Sequence, residues 1–379
     1  MREPDSETRA DRIQGAAMAV VLAGGFALAV AALMTPSAQR RLAEASGLDA
    51  LIAGRTAAAV NYATAHDLPV DLLFRATGGV LRWKLFGSGG PQVWVGRQDW
   101  LFLVEELRPW PDAAAMMATR AALVARVQKA LREKEIDLVV TLVPDKARMV
   151  ATALDGPRAR ETEGRYTGFL TALRSAGIAT VDLASAYAAS GRGDTFYFRT
   201  DTHWNQPGAA LAARATAAAV TTDFDRSHRF ITAADPAETD GPGDLLRLMS
   251  LDRIPDHLPI RLRPPVDRQH LEKTRELEKP AAKGGLLDDG PEIPVALIGS
   301  SFSKNSNFDG RLQEALGAPA ANFAEAGGGF AGSAKAYFAS EAFRETPPKL
   351  VIWEIPERVV GQPLTADDRA LLDAFPAKP

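Results

Sequence analysis

Short runs of apolar and β-branched residues alternate with segments of helical periodicity along most of the chain, and this alternation constrains the fold more than any other feature. The runs that indicate buried strands are 136–143 (IDLVVTLV), 178–183, 293–298 (IPVALI), 321–323 and 349–355 (KLVIWEI). Strands that alternate with helices form a mostly parallel sheet with helices on both faces. The sequence therefore predicts an α/β fold.

The segments between these runs have their own patterns. Helical periodicity covers 111–135, 161–175, 206–220, 308–316 and 332–343. Alternating aromatic and aliphatic residues around Gly96 predict a β-hairpin that begins near Val93, and Phe196–Phe198 has the pattern of a short strand. Residues 233–290 are rich in Pro, Asp, Arg and Lys and lack periodicity, so we expect an irregular insertion there.

An uncharged apolar segment of 20 residues, 15–34, lies near the N-terminus. A helix of this length spans about 30 Å, the thickness of the hydrocarbon core of a bilayer. The segment is longer than the apolar region of a typical signal peptide, and Pro36-Ser37-Ala38 is a poor cleavage site, so an uncleaved anchor is favoured over a cleaved signal. Three arginines precede the segment and two follow it, which slightly favours a cytoplasmic N-terminus.

These patterns predict five parts of the chain. They are a cytoplasmic tail 1–14, a transmembrane anchor 15–34, a helical linker 35–89, an α/β domain 90–360 that contains the insertion 233–290, and a C-terminal tail 361–379.

The chain has no cysteine, which excludes disulfides, thiolate metal sites and a cysteine nucleophile. Its 44 Lys plus Arg against 47 Asp plus Glu give no chain-wide basic signature, so no nucleic-acid partner is predicted.

Polar residues follow three of the apolar runs directly, at 144–146, 200–203 and 299–302. Active sites of parallel sheets lie outside the carboxyl ends of the strands. After the run IPVALI, Gly299 permits a sharp turn, and Ser301 can present its hydroxyl as a nucleophile beside backbone N–H groups. A serine here is also a common helix N-cap, for which Ser303 is the better candidate. The segment is not the G-x-S-x-G elbow of α/β-hydrolases.

Asp201 and His203 supply the groups that a serine nucleophile needs. Residues two apart in an extended segment point to the same side, so Asp201 can hold one ring nitrogen of His203 while the other faces a serine. Two alternatives remain open from this segment alone, namely an N-cap for the helix near Pro207 and metal ligation. No further cluster of histidines or carboxylates lies nearby in sequence to complete a metal site, so neither a metal nor a cofactor is predicted.

Six segments, in order, resemble the alginate O-acetyltransferase family of periplasmic, SGNH-hydrolase-like enzymes. They are GRQDWLFL (96–103), VPDKARM (143–149), YFRTDTHWN (197–205), LIGSSFS (297–303) with the later AEAGGGF, and KLVIWEIPER (349–358). The resemblance implies a catalytic triad of Ser301, His203 and Asp201. Ser300 departs from the family pattern, in which many members carry Asp at this position. Lys146, Arg199, Gly327 and Gly328 lie in matching segments, and the resemblance implies that they bind the oxyanion or the substrate.

The resemblance also implies an activity and partners. The expected fold is an SGNH-hydrolase-like sheet with flanking helices, preceded by one transmembrane helix. The expected reaction is O-acetylation of an exopolysaccharide, alginate or similar, in the periplasm through an acetyl-serine. A membrane-bound O-acyltransferase partner would supply the acetyl group, and the N-terminal helix would hold the chain in the inner membrane. An O-acetyl esterase with the same triad is the alternative enzyme, and a non-catalytic subunit with a decayed site is a third hypothesis.

Overall fold

The computed structural model describes residues 4–68, 71–154, 160–192, 195–255, 258, 260–278 and 293–376. The chain divides into two compact units, Met1–Leu81 and Arg82–Pro379. The helices of the first unit are α1 Pro4–Leu33, α2 Pro36–Glu44, α3 Leu48–Ile52, α4 Arg55–His66 and α5 Asp71–Phe86, the last of which runs past the boundary between the units.

The first unit contains a helical stretch that is suited to a membrane. Within α1, the 25 residues Arg9–Leu33 are long and apolar enough to cross a bilayer, a property that membrane anchors share with signal sequences. The apolar stretch ends at Leu33, and α2 begins shortly after it. Thr35 caps the N-terminus of α2, because its Oγ1 accepts a hydrogen bond from the N–H of Ala38 at 3.3 Å. Helices cover most of the predicted linker 35–89, but the compact unit ends at Leu81.

The second unit contains the α/β elements. Its strands are β1 Val93–Val95, β2 Leu101–Leu103, β3 Asp137–Val143, β4 Ala179–Asp182, β5 Arg229–Asp240, β6 Arg268–Glu278, β7 Val295–Ile298, β8 Ala320–Asn322 and β9 Leu350–Pro356. Its α-helices are α6 Val104–Leu107, α7 Ala113–Arg132, α8 Lys146–Met149, α9 Arg160–Glu163, α10 Arg165–Ser175, α11 Leu183–Ala189, α12 Gln206–Ala218, α13 Asp244–Leu248, α14 Phe308–Leu316, α15 Gly332–Ala339, α16 Glu341–Glu345 and α17 Ala366–Ala374. Short 3₁₀ helices cover Arg97–Asp99, Ala151–Ala153, Ser301–Lys304 and Glu357–Val359.

A parallel sheet forms the centre of this unit, with strand order β4-β3-β9-β7-β8. The last strand in sequence, β9, lies between β3 and β7 and pairs with β3 from Asp137–Leu350 to Val143–Pro356. Because all five strands run in one direction, their carboxyl ends meet at one edge of the sheet. The predicted α/β fold is confirmed, and the predicted hairpin is β1 paired with β2.

Alternate side chains of the central strands enter two separate cores. Leu138, Val140 and Leu142 of β3 pack on the side of α7 and α10, whereas Val139 and Val143 pack on the side of α12 and α14. A strand that is buried on both faces has a continuous apolar sequence. The central strands were therefore recognisable in the sequence.

The stretch predicted as an irregular insertion contains a β-ribbon with two register shifts, so the prediction is wrong for the two strands that form it. β5 and β6 pair antiparallel, from Arg229–Glu278 to Asp240–Arg268. One face of the ribbon contacts α14 through polar groups, where Arg311 binds Glu272 at 2.6 Å. The opposite face is exposed, so neither face needs the apolar residues that indicate a strand. We call residues 229–278 the ribbon insertion; residues 279–292 lie outside the described part of the chain.

Three other predictions need correction. Phe196–Phe198 is not a strand but forms one bridge, Tyr197 with Trp204, and its buried aromatic side chains gave the misleading pattern. The helix predicted over 332–343 is two helices, because Ser340 ends α15 and its Oγ caps α16.

The C-terminal segment 361–379 is not merely a tail, since it includes α17. Asp368 of this helix forms a buried ion pair with Arg120 of α7 at 2.7 Å. Thr365 caps the helix and exchanges reciprocal hydrogen bonds with Asp368. The segment is therefore part of the α/β unit.

Candidate active site

Ser301, His203 and Asp201 meet at the carboxyl edge of the sheet. Ser301 opens the 3₁₀ helix directly after β7, and the other two residues lie in the loop before α12. His203 Nε2 is 2.7 Å from Ser301 Oγ, and His203 Nδ1 is 2.7 Å from Asp201 Oδ1. Both distances are those of hydrogen bonds. The structure thus brings together the three residues that the sequence predicted as a triad.

The turn that presents Ser301 is shaped by its close approach to β9. We call residues 299–303 the nucleophile turn. A Cβ atom on Gly299 would lie 2.9 Å from the backbone oxygen of Glu354, so only glycine fits there. Ser300 caps the 3₁₀ helix, because its Oγ accepts the N–H of Phe302 at 3.2 Å. The predicted cap, Ser303, instead donates its hydroxyl to Glu354 at 3.1 Å.

One backbone N–H of the nucleophile turn has no acceptor among the described residues. The N–H of Ser300 donates to Glu354, that of Phe302 to Ser300 Oγ, and that of Ser303 to the Ser300 carbonyl oxygen. The N–H of Ser301 is the exception. Stabilisation of a tetrahedral oxyanion requires a donor next to the nucleophile. The N–H of Ser301 is in the right place for that role.

The Asp201 carboxylate accepts three N–H groups. Its Oδ1 accepts from His203 Nδ1 and from the His203 backbone N–H at 2.9 Å, and its Oδ2 accepts from the Asp244 backbone N–H at 2.7 Å. Burial alone would raise the pKa of Asp201, but the hydrogen bonds and the charge of His203 outweigh it and lower this pKa to about 2. Asp201 is therefore ionised at neutral pH and holds the imidazole proton on Nδ1, which leaves Nε2 free to accept a proton.

Two carboxylates of the ribbon insertion hold the loop 200–203, which we call the Asp-His loop. Asp244 Oδ1 accepts the N–H of Thr202 at 2.7 Å, and its Oδ2 lies 3.8 Å from His203 Nδ1. Asp267 Oδ2 accepts the N–H and the hydroxyl of Thr200 at 2.8 and 2.9 Å. The sequence analysis missed both carboxylates, because they lie in a stretch without periodicity and far from the loop in sequence.

Asp201, His203 and Asp244 also have the spacing of a metal site, since they offer ligand atoms within 4.8 Å of one another. Their atoms already have other partners, because both oxygens of Asp201 accept N–H groups. A cation on Nδ1 would move the ring proton to Nε2, which would then no longer accept from Ser301. Burial and the charge of Asp201 raise the pKa of Asp244, which weakens it as an anionic ligand. The cluster is better suited to orienting an imidazole than to holding a metal.

Lys146 lies in a buried environment, behind the loop that carries Asp201. Its side chain is fully buried, and its Nζ donates to the backbone oxygens of Phe198, Arg199 and Asp201 at 3.2, 3.3 and 2.7 Å. An ammonium group has three protons, and these three carbonyls use them. Burial lowers the pKa of Lys146, and nearby carboxylates, Glu106 first, oppose that shift. Lys146 therefore supports the Asp-His loop, and a role in substrate binding stays a prediction.

The other residues implied by the resemblance lie around the site. The side chain of Arg199 is 36% exposed, and its Nε lies 3.9 Å from Asp267, so it can reach a bound anion. Gly327 and Gly328 lie in a loop beside the nucleophile turn, because the Glu325 N–H donates to the Gly299 oxygen at 3.0 Å. The N–H of Gly328 donates to the Glu325 oxygen at 3.2 Å and is already used. An oxyanion role for these glycines stays a prediction.

Arg358 is a further cation near the site that the sequence analysis did not select. Its guanidinium lies 5.4 Å from the ring centroid of Phe302, and that ring packs edge-on against His203 with centroids 4.9 Å apart. Arg358 is half-buried. Positive charge at Arg199 and Arg358 thus lies near the triad residues.

The chain is similar to a family of known proteins over most of its length. A family model described as an SGNH hydrolase-like domain of acetyltransferase AlgX matches residues 93–357. The probable alginate O-acetylase AlgJ of Pseudomonas putida is 35% identical over 320 residues, which are 81% of this chain and 80% of the relative. Its namesake from Pseudomonas aeruginosa is 32% identical over 332 residues, 84% and 82% of the two chains.

Solved structures have the same fold. The O-acetyltransferase domain of Pseudomonas putida AlgJ is similar with a TM-score of 0.64 and 33% identity, covering 75% of this chain and 99% of that one. Pseudomonas aeruginosa AlgX is similar with a TM-score of 0.53 and 24% identity, covering 74% and 65%.

Proposed function

The chain belongs to the family of SGNH hydrolase-like acetyltransferases that includes the alginate O-acetylases, and from this premise we propose that it acetylates hydroxyls of alginate or a similar anionic exopolysaccharide through an acetyl-Ser301 intermediate. The observation that carries the mechanism is the continuous hydrogen-bond chain from Asp201 through His203 to Ser301, with 2.7 Å at both links. A serine becomes a nucleophile when an oriented imidazole takes its proton.

The first half-reaction acetylates the enzyme. His203 Nε2 takes the proton of Ser301 while Oγ attacks the carbonyl carbon of an acetyl ester. The carbonyl oxygen becomes an oxyanion that accepts the Ser301 N–H, and Asp201 stabilises the imidazolium without itself becoming protonated. As the tetrahedral intermediate collapses, the bond to the donor oxygen breaks, and Nε2 returns the proton to that oxygen.

The second half-reaction uses the same groups in reverse. A sugar hydroxyl gives its proton to His203 Nε2 and attacks the acetyl carbon. The bond to Ser301 Oγ breaks, Oγ takes the proton back, and the acetylated sugar leaves. Arg199 and Arg358 supply positive charge beside the site for the carboxylates of an anionic polymer.

We further propose that the chain is a single-pass inner-membrane protein with its α/β unit in the periplasm. The apolar helix Arg9–Leu33 supports this placement. Acetyl-CoA is a cytoplasmic compound, so a membrane-bound O-acyltransferase partner would have to pass the acetyl group across the membrane. An anchor would hold the α/β unit near such a partner and raise its effective concentration.

The test of the proposed function uses the full chain in detergent, with p-nitrophenyl acetate as donor and alginate as acceptor. Acetyl esters on the polymer and free acetate are both quantified. The wild-type chain is expected to acetylate the polymer, and Ser301→Ala is expected not to. Acetate release with no polymer acetylation would identify an esterase instead. Unchanged exopolysaccharide acetylation in cells that carry Ser301→Ala would identify a non-catalytic subunit.

A further inference from the structure

Glu354 is a buried carboxyl group that the mechanism above does not use. It lies in the central strand β9 and is 1% exposed. The preceding residue, Trp353, pairs with Ile298, the last residue of β7. Glu354 therefore lies beside the point at which the chain leaves β7 and enters the nucleophile turn.

The carboxyl group of Glu354 makes three kinds of contact, all with residues that flank Ser301. Its Oε2 accepts the backbone N–H of Ser300 at 2.7 Å. The hydroxyl of Ser300 lies 2.9 Å from Oε2 and 3.1 Å from Oε1, and the hydroxyl of Ser303 lies 3.1 Å from Oε2. All three donors are neutral groups, and no lysine or arginine forms an ion pair with Glu354 in the described residues.

A buried carboxyl group without an ion-pair partner lowers stability relative to an apolar residue, so its presence needs a reason. Burial raises the pKa of Glu354, and hydrogen bonds from Ser300 and Ser303, followed by the charge of Arg358 beyond ion-pair distance, oppose that shift. Gly299 is also adapted to this group, because a Cβ there would lie 2.7 Å from Oε2. The turn and the carboxyl group are thus matched in shape and in hydrogen bonding.

We propose that Glu354 is a positioning residue for the nucleophile, which holds the nucleophile turn in the conformation where Ser301 Oγ meets His203 Nε2 and the Ser301 N–H faces the reacting carbonyl. The Glu354 carboxyl group binds Ser300, before the nucleophile, and Ser303, after it. It also accepts the N–H of Ser300. Ser301 is left with its hydroxyl and its N–H available. This inference rests on the proposed function of Ser301.

The first test compares Glu354→Leu with Glu354→Gln in the full-length protein. The leucine removes every acceptor, whereas the glutamine keeps one oxygen for the Ser300 N–H and an amide that donates to a serine oxygen. The readouts are kcat and KM for p-nitrophenyl acetate, and the rate at which phenylmethylsulfonyl fluoride modifies Ser301, located by peptide mapping. Glu354→Leu is expected to lower kcat and the modification rate by about 100-fold, the scale of a nucleophile misplaced by about 1 Å. Glu354→Gln is expected to recover at least about a tenth of wild-type kcat, while KM stays within about threefold of wild type in both variants.

Asp368→Asn is the matched control, because Asp368 is another fully buried carboxylate but pairs with Arg120 away from the turn. It is expected to lower the melting temperature and leave kcat and the modification rate unchanged. A Glu354→Leu protein that melts as a folded domain and is modified within about threefold of the wild-type rate would overturn the proposal.

A second variant pair keeps the proposal testable if Glu354→Leu does not fold. Ser300→Ala removes the hydroxyl that lies 2.9 Å from Glu354 Oε2, and it is measured alone and together with Glu354→Gln. We expect each substitution to lower kcat and the modification rate, and the double substitution to cost less than the sum of the two, the coupling typical of contacting residues. Strictly additive losses would overturn the proposal. Ser301→Ala is measured in parallel, since hydrolysis that persists there refutes the proposed function and not the role of Glu354.

Discussion

The substitution Asp201→Asn tests how the site sets the proton position on His203. It preserves the shape of the side chain but replaces one of two acceptor oxygens with a donor. In the structure, three N–H groups point at this carboxylate, two from His203 and one from Asp244. An amide oxygen can serve only one side, so each orientation of the new side chain places its NH2 group against an N–H donor.

The expected size of the effect follows from the two orientations. With the amide nitrogen toward the imidazole, His203 must carry its proton on Nε2, and Nε2 can then no longer accept from Ser301. With the amide oxygen toward the imidazole, the Asp244 N–H loses its acceptor, and the imidazolium loses its counter-charge. A wrong tautomer costs about 10⁴-fold in kcat in triad enzymes, or about 5.5 kcal/mol of transition-state stabilisation. We expect a loss of about 10³- to 10⁴-fold in kcat/KM here.

The assay is hydrolysis of p-nitrophenyl acetate by the full-length protein, with circular dichroism to confirm folding. Asp267→Asn is the control, because Asp267 binds Thr200 in the same loop. It is expected to retain activity within about tenfold of wild type, since only the positions of Thr200 and its neighbours depend on it. An Asp201→Asn protein with more than about a tenth of wild-type kcat/KM would refute the reasoning about the proton position.

Four further outcomes are expected. Lys146→Met removes the donor from three buried carbonyls and should lower the free energy of unfolding by about 3 kcal/mol in urea; an unchanged value would contradict the support of the Asp-His loop by Lys146. Because Asp201 has a pKa of about 2 when folded, against about 3.9 for an aspartate in an unfolded chain, it should add about 2 kcal/mol of stability that is present above about pH 4 and lost as the pH falls toward 2. Urea midpoints of Asp201→Asn should lack this part of the acid dependence, and an unchanged acid dependence would contradict it. Arg120→Ala leaves Asp368 as an unpaired buried charge and should cost about 3–5 kcal/mol, read as a lower urea midpoint; a midpoint equal to wild type would contradict the ion pair. Arg199→Ala should raise KM for alginate but not for p-nitrophenyl acetate, and added salt should reduce the difference; an equal rise for both substrates would argue against a glycan contact.

The elements that could be predicted from the sequence are those whose pattern is fixed by burial. The strands β3, β7 and β9 are covered on both faces, so continuous apolar runs marked them, and α14 was predicted with its observed bounds, Phe308–Leu316. The ribbon insertion was missed because its inner face meets α14 through Thr, Glu and Arg side chains. A strand that buries polar pairs has no apolar alternation to detect.

Some of the site residues could be predicted from the sequence and others could not. His203 and Asp201 were predicted because the chain has only five histidines and few of them have a carboxylate two positions away, and because the ordered motifs resemble a family. Glu354 was missed because it lies inside the apolar run KLVIWEI, and only the pairing of β9 with β7 shows that it reaches the nucleophile turn. The surroundings of Lys146 could not be predicted, since a lysine after a strand has the same sequence signal whether it faces a substrate or three buried carbonyls.

Mass spectrometry of the acid-quenched protein can show whether Ser301 carries the acetyl group during turnover. The full-length chain is mixed with p-nitrophenyl acetate, quenched within the first turnover, digested and mapped. We expect one acetyl group on the Ser301 side chain in the wild type and none at that position in His203→Ala. Turnover of the ester with no acetyl group on Ser301, or equal acetylation of Ser301 without His203, would contradict it.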